Sequence, residues 1–115
     1  MELTLPWPPS TNQYWRSFQG RVIISAQGRA YRKAIIEQVI IQSGARQFEH
    51  DLQIEIEVFP PDKRKRDIDN LLKSLLDSLT YAQVWKDDNQ ISDLRIYRNK
   101  QIAGIVKVRV YEINQ

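Results

Sequence analysis

Seven consecutive residues, Asp67-Ile68-Asp69-Asn70-Leu71-Leu72-Lys73, bring two carboxylates and an ammonium close together. Directly before them stand four cations in a row, Lys63, Arg64, Lys65 and Arg66. Ile68, Leu71, Leu72, Leu75, Leu76 and Leu79 recur at helical spacing, which predicts an amphipathic helix with one buried face. Asp67 falls at its N-cap and Asp69 in its first turn, while Asp69, Lys73 and Asp77 follow one another every four residues away from the leucines. Each feature alone has a structural explanation. Aspartates at a helix start serve capping and the helix dipole, and an Asp–Lys pair four residues apart adds only about 0.2–0.5 kcal/mol. Their coincidence points to chemistry. Four adjacent like charges repel one another, and folding does not require them beside an acidic cluster. A site that binds a polyanion together with a divalent cation requires both. Further along, Asp87 and Asp88 add adjacent carboxylates in an expected loop.

Composition narrows the possibilities. A chain of 115 residues is read as one domain, residues 1–115, with room for a single core. The net charge of +3 is a mild basic bias, compatible with nucleic acid but not diagnostic of it. Its distribution says more. Residues 1–60 carry six cations and six anions, and five of those anions are Glu; residues 61–115 carry eleven cations and eight anions, seven of them Asp. Short, stiff carboxylates suit the near-octahedral geometry of Mg²⁺. The absence of cysteine excludes disulfides, thiolate nucleophiles and zinc–thiolate centres, and the single His50 has no evident partner. No apolar run reaches the ~18 residues of a membrane span and no signal-peptide pattern opens the chain, so the expectation is a cytosolic protein with no membrane partner.

The rest of the chain has to hold these residues in place. A short strand is expected over residues 2–5, ended by Pro6-Trp7-Pro8-Pro9, whose prolines hold the chain extended. Residues 10–16 read as a polar and aromatic loop in which Asn12, Tyr14 and Arg16 are candidate DNA contacts. Trp7 and Trp15 either stack on bases or cover the edge of the core. A second strand is expected over residues 21–24. Ser25 then caps a helix running to Ser43 and Gly44, with an apolar arc (Tyr31, Ile35, Val39, Ile40, Ile41 among others) broad enough to cover a sheet and touch a second subunit. Residues 52–59, LQIEIEVF, alternate as a half-buried strand that delivers the chain into the basic run. Strands are also expected over residues 90–98 and 105–113, where Arg95, Lys107 and Arg109 extend a basic surface if their faces coincide. The architecture is therefore read as α+β, a mixed or largely antiparallel sheet with two main helices packed on it.

These residues resemble the RusA family of Holliday junction resolvases, small endodeoxyribonucleases common in phages and prophages. The resemblance runs through Leu5-Pro6-Trp7-Pro8-Pro9-Ser10 with Asn12, the basic run, Arg66-Asp67-Ile68-Asp69-Asn70-Leu71 with Lys73, Trp85-Lys86-Asp87-Asp88 and Ile91-Ser92-Asp93. It implies a Mg²⁺-dependent enzyme that cuts four-way junction DNA as a homodimer in the bacterial cytoplasm. By the same resemblance, Asp67, Asp69 and Asp88 are catalytic metal ligands, Lys73 is the functional lysine, and Asp87 is the aspartate neighbouring Asp88. Lys63, Arg64, Lys65 and Arg66 then grip DNA through phosphate contacts. The alternatives are a branched-DNA-binding module without catalysis, and a Mg²⁺ nuclease acting on other branched DNA.

Overall fold

The computed structural model describes residues 1–43 and 47–113. From the amino end come β1 (Glu2–Pro6), a one-turn helix α1 (Thr11–Tyr14), a hairpin of β2 (Trp15–Phe18) and β3 (Arg21–Ile24), and the long helix α2 (Ala26–Ser43). β4 (Leu52–Phe59) leads through residues 60–67 into a 3₁₀ turn (Ile68–Leu71) that continues as α3 (Leu72–Tyr81). A second 3₁₀ turn (Asp88–Gln90) precedes β5 (Ile91–Arg98), and β6 (Ile105–Glu112) closes the sheet. The helix stop expected at Gly44 lies outside the described residues.

The sheet order is β1-β6-β4-β5, with β4 antiparallel to β6 and parallel to β5. It is mixed, as expected. The alternation in β4 has its predicted consequence: Leu52, Ile54, Ile56 and Val58 are fully buried, and Gln53, Glu55 and Glu57 line the other face. Leu3 and Leu5 of β1 and Val106, Val108 and Val110 of β6 join the inward set, against Tyr31, Ile35 and Val39 of α2 and Leu75 and Leu79 of α3. Burying one such aliphatic side chain contributes roughly 1.5–3 kcal/mol. Both main helices therefore cover a single face. Among the described residues no helix is long and apolar enough to cross a membrane.

The opposite face does bring Arg95, Lys107 and Arg109 together, but it is charge-balanced rather than basic. Arg109 meets Glu55 at 3.0 Å, Glu57 at 3.1 Å and Glu2 at 3.6 Å. The hydrogen bond to Glu57 foremost raises the pKa of Arg109 still further, and Glu57 itself is held below the usual carboxylate range by Asn99 and Arg109.

Two local features depart from expectation. The expected loop at residues 10–16 is a capped turn of helix that runs into a strand. The Ser10 side chain accepts from the Gln13 N–H and the Gln13 side chain accepts from the Ser10 N–H, a capping box written in Ser10-Thr11-Asn12-Gln13. Trp15 and Arg16 then pair with Ile24 and Ile23 in the hairpin, whose tip uses Gln19 (φ 50°) and Gly20 (φ 77°). Paired positive φ values give the turn twist that favours a two-residue hairpin.

Ser25 caps α2 as predicted, accepting from Gly28 N–H at 2.9 Å. Its hydroxyl also donates to the Tyr14 carbonyl at 3.0 Å, which docks α1 on the start of α2. Gly28 is required by that docking. A Cβ there would sit 2.5 Å from the Tyr14 carbonyl oxygen and 2.7 Å from Ile24 Cγ1. Gly28→Ala is expected to lower stability by about 2 kcal/mol through overpacking, despite the better helix propensity of alanine. Urea unfolding measures it; an unchanged or higher midpoint would show that the turn yields freely.

Candidate active site

The proline segment and the acidic turn are built against each other. Pro8 and Pro9 are buried and bring no N–H groups, so their carbonyls are what must be satisfied. Ser74, buried in α3, donates to the Pro9 carbonyl at 2.6 Å, and the Tyr31 hydroxyl donates to the Pro6 carbonyl at 2.8 Å. The Thr11 hydroxyl donates to the Asn70 carbonyl at 3.2 Å. The start of α1, with exposed Asn12, is thereby fixed beside the turn that carries Asp69. A groove lies between the two segments, lined by Trp7, Pro9, Tyr31, Lys65, Asp67 and Asn70 among others.

Asp67 is the residue before the 3₁₀ turn, with extended backbone (φ −76°, ψ 122°), and its side chain makes no capping hydrogen bond. Asp69 and Lys73 are exposed and do not pair. A 3₁₀ turn advances about 120° per residue against about 100° in an α-helix, so the four-residue register that would align Asp69 with Lys73 is broken. The side chains of Asp67, Asp69 and Lys73 have no hydrogen-bonding or ion-pair partner among the described residues, which leaves all three available.

Asp77 behaves differently from its expected place on the solvent face. It accepts from Arg32 at 2.7 Å and from the Tyr14 hydroxyl, clamping α3 to α2 and α1. Tyr14 is fully buried, and Arg32 Nε (2.7 Å) and the Ser78 hydroxyl (3.2 Å) both donate to its oxygen. Burial first, and the Asp77 carboxylate next, raise its pKa above the ordinary tyrosine value. Tyr14 is therefore a core residue and not a DNA contact, because it belongs to a helix turn that packs inward rather than to a surface loop. Arg16 is exposed on β2 over the Phe18 ring, 5.3 Å from its centroid. Trp7 and Trp15 are half-buried and pack on the core, Trp15 edge-on to Tyr14 with ring centroids 4.9 Å apart.

The four cations are not equivalent. Arg66 folds back on Asp62 through two hydrogen bonds of 2.7 and 2.9 Å, and lies 6.0 Å from the Trp7 ring centroid. That pairing, with the Arg64 N–H, pushes the Asp62 carboxyl well below its ordinary range. Arg64 is 81% exposed and makes a loose 3.4 Å contact to the same carboxylate. Lys63 and Lys65 are exposed and unpaired among the described residues. Adjacency in the chain does not tell a cation that organises the loop from those that project from it.

Asp87 and Asp88 divide the work between them. The Asp87 side chain accepts from Asn89 N–H at 2.9 Å, and the Gln90 side chain accepts from Asp87 N–H at 2.9 Å, a second capping box. Gln90 also donates to the carbonyls of Phe48 and His50, tying this turn to the chain before β4. Asp87 thus holds the turn, and Asp88 is left exposed on it without a partner among the described residues.

Topology separates the acids. The acidic turn lies at the C-terminal end of the parallel strands, where Arg98 donates to the Arg66 carbonyl at 2.5 Å. Asp88 lies at their N-terminal end, beside Ile91, which pairs with Leu52. An eight-residue strand spans roughly 25 Å, so Asp88 stands on the order of 20 Å from Asp67 and Asp69. Among the described residues, no three acidic or histidine side chains of one chain converge to hold a metal ion.

Available carboxylates beside projecting lysines, at the start of one helix on a mixed α+β sheet, make a surface suited to a polyanionic ligand. Comparison with known proteins defines the group. Residues 6–111 match the family described as endodeoxyribonuclease RusA. Relatives named crossover junction endodeoxyribonuclease RusA include one from Shigella sonnei (strain Ss046), 44% identical over 105 residues, and one from Escherichia coli (strain K12), 43% identical over 105 residues. A third, from Enterobacteria phage 82, is 44% identical over 105 residues. Each alignment covers 89% of this chain and 85% of the relative. The chain belongs to the RusA family of endodeoxyribonucleases, enzymes that cleave DNA.

Proposed function

We propose that the protein is a Mg²⁺-dependent endonuclease that resolves four-way DNA junctions by paired, symmetric phosphodiester hydrolysis, acting as a homodimer in the bacterial cytoplasm. The supporting observation is the pair of available carboxylates, Asp67 and Asp69, with Lys73 and the lysines at 63 and 65 at one end of the sheet, in a chain of this family. Its relatives' names carry crossover junctions as their substrate.

The three carboxylates do not fit one ion within a single chain, since Asp88 is at the far end of the sheet. They fit if Asp88 comes from a second copy. A two-fold dimer then forms two identical sites, one for each of two opposed strands. Bound there, a Mg²⁺ ion would neutralise the non-bridging oxygens and acidify a water. Asp67 and Asp69 supply charge at the helix start, and Lys73, one turn along, reaches the scissile phosphate. Lys63 and Lys65 hold the flanking backbone, with Asn12 and Arg16 as further contacts.

Two experiments test the reading. Purified protein is incubated with a synthetic four-way junction or a matched linear duplex, with Mg²⁺ or with EDTA. Paired symmetric nicks in the junction alone, dependent on Mg²⁺, are expected. Binding without nicking in any divalent metal would favour the non-catalytic module, and equal cutting of flaps would favour a broader branched-DNA nuclease. In addition, replacing both Lys63 and Lys65 by Gln is expected to reduce the slope of log affinity against log salt by about 2, close to one for each phosphate no longer neutralised. An unchanged slope would place the DNA elsewhere.

A further inference from the structure

Residues 3–36 hold five cations, Arg16, Arg21, Arg29, Arg32 and Lys33, and no Asp or Glu. Arg32 is paired with Asp77, and Arg29 donates to the Ile24 carbonyl at 3.2 Å. Arg16 and Arg21 make no ion pair among the described residues, and both stand on the hairpin of β2 and β3. Alternate residues of a strand, and residues directly opposed across a pair, share a face. Phe18 lies opposite Arg21, and Arg16 opposite Ile23. One face of the hairpin therefore carries an aromatic ring between two unpaired guanidinium groups. On the other face Trp15 and Ile24 pack on the core. The Arg16 guanidinium covers the Phe18 ring at 5.3 Å, yet Phe18 is still 51% exposed.

A two-stranded hairpin is marginal in water by itself, and this one is held at its base. The Ser25 hydroxyl donates to the carbonyls of Gln13 and Tyr14, and the Ser25 N–H donates to the Tyr14 carbonyl at 2.9 Å. The same base is tied to the acidic turn, because the hairpin follows α1 directly and Thr11 of α1 bonds the Asn70 carbonyl. A groove is lined by Thr11 and Asn12 of α1 and by Trp15, Arg16, Ser17 and Val22 of the hairpin. One helical turn and a four-residue strand span at most roughly 20 Å. That is about six steps of a nucleic-acid strand at 3.4 Å each. Phe18 and the carboxylates at 67 and 69 are thus placed to meet one DNA molecule close to a single point.

We infer that the hairpin is a branch-point element: the Phe18 ring stacks on a base left uncovered where the arms of a junction meet, and Arg16 and Arg21 hold the phosphates beside it. The inference rests on the junction-cleaving function proposed above and adds how a branch is told from a duplex. Within a continuous duplex both faces of each base pair are covered, and an apolar wedge has to unstack a step before it can enter. Where strands change partners the stack is interrupted, so a ring finds a base face at a smaller cost. Aromatic stacking is indifferent to sequence, because every base has a π-face. The guanidinium groups contact phosphates in either kind of DNA and so contribute affinity without selectivity. Selectivity for the branch then falls to Phe18.

The test compares binding to a four-way junction and to a matched linear duplex in EDTA, where cleavage does not interfere. Phe18→Ala is expected to weaken junction binding by about tenfold and to leave duplex binding and the salt slope unchanged. Phe18→Leu keeps apolar bulk without a π-face and is expected to behave like Phe18→Ala, whereas Phe18→Trp is expected to bind the junction as the unaltered chain does. Arg16→Gln and Arg21→Gln are each expected to weaken binding to both DNAs and to lower the slope of log affinity against log salt by about one. A 2-aminopurine at the branch point is expected to change fluorescence on binding the unaltered chain but not Phe18→Ala, and one within an arm to respond to neither. Junction binding unchanged in Phe18→Ala, restored by Phe18→Leu, or lost equally with duplex binding would overturn the inference. Cleavage by the unaltered chain, assayed with Mg²⁺, keeps the two proposals apart. A chain that perturbs the branch-point base but cuts no junction refutes the function alone, and one that cuts junctions with no contribution from Phe18 refutes the branch-point element alone.

Discussion

Asp69→Asn is expected to lower junction cleavage on the order of 10²–10³-fold or more, with junction affinity changed less than about threefold. The side chain is exposed, has no partner to lose and caps nothing, so the fold has no stake in its charge. Asparagine keeps the size and one oxygen but removes the anion, and a divalent cation beside a phosphodiester depends on that anion. Removing a negative charge next to DNA does not weaken phosphate contacts made by lysines. Cleavage and binding should therefore separate. Single-turnover cleavage together with a binding titration on the same junction measures both, and a variant that cuts at the wild-type rate would falsify the assignment of Asp69.

Tyr14→Ala is expected to cost about 4 kcal/mol of stability, as for other large-to-small changes at buried aromatic positions, and to lower the melting temperature by more than ~10 °C. The ring fills a fully buried position, and its hydroxyl joins Asp77, Arg32 and Ser78. Truncation leaves a cavity and strips three polar groups of a partner at the junction of α1, α2 and α3. Tyr14→Phe separates these effects, since it retains the ring and loses only the hydroxyl, at a cost of about 1–3 kcal/mol. Thermal melts and urea titrations of both variants read the difference. If Tyr14→Ala melted like the wild type and bound DNA more weakly instead, the residue would belong to the DNA surface after all.

Much of this fold is legible in the sequence because its longest elements carry simple periods. The alternation of LQIEIEVF and the leucine spacing after Asp67 each report one buried face. Tyr14 was not legible, because a single capped turn offers no period to read, although the Ser10–Gln13 capping box was there to find. The hairpin was half hidden for the same reason: β2 is four residues long and its burial pattern does not alternate. The sheet order was also beyond reach. Patterning shows that a strand has one apolar face without showing which strand lies beside it.

The candidate site divides along similar lines. Carboxylates and lysines are visible as residue types, and the family resemblance gathers Asp67, Asp69 and Asp88 into one set. Spacing along the chain does not reveal that a parallel crossover puts Asp88 at the opposite end of the sheet. Nor does it distinguish Asp87, engaged in capping, from Asp88, left exposed beside it. Arg66 likewise reads as one of four equal cations until Asp62 is seen to hold it. Such distinctions depend on which partners the fold supplies.

The shared site is tested most directly by complementation. Asp69→Asn and Asp88→Asn, each expected to be inactive alone, are co-expressed with different affinity tags, and the doubly tagged heterodimer is assayed on a four-way junction with Mg²⁺. If each site takes Asp67 and Asp69 from one copy and Asp88 from the other, one site of the heterodimer carries both lesions and the other carries none. Cleavage should then return, as nicks in one strand of each junction, at roughly half the wild-type number of active sites. If all three acids act within one chain, both sites of the heterodimer remain damaged, and a mixture as inactive as its parents would contradict the shared site.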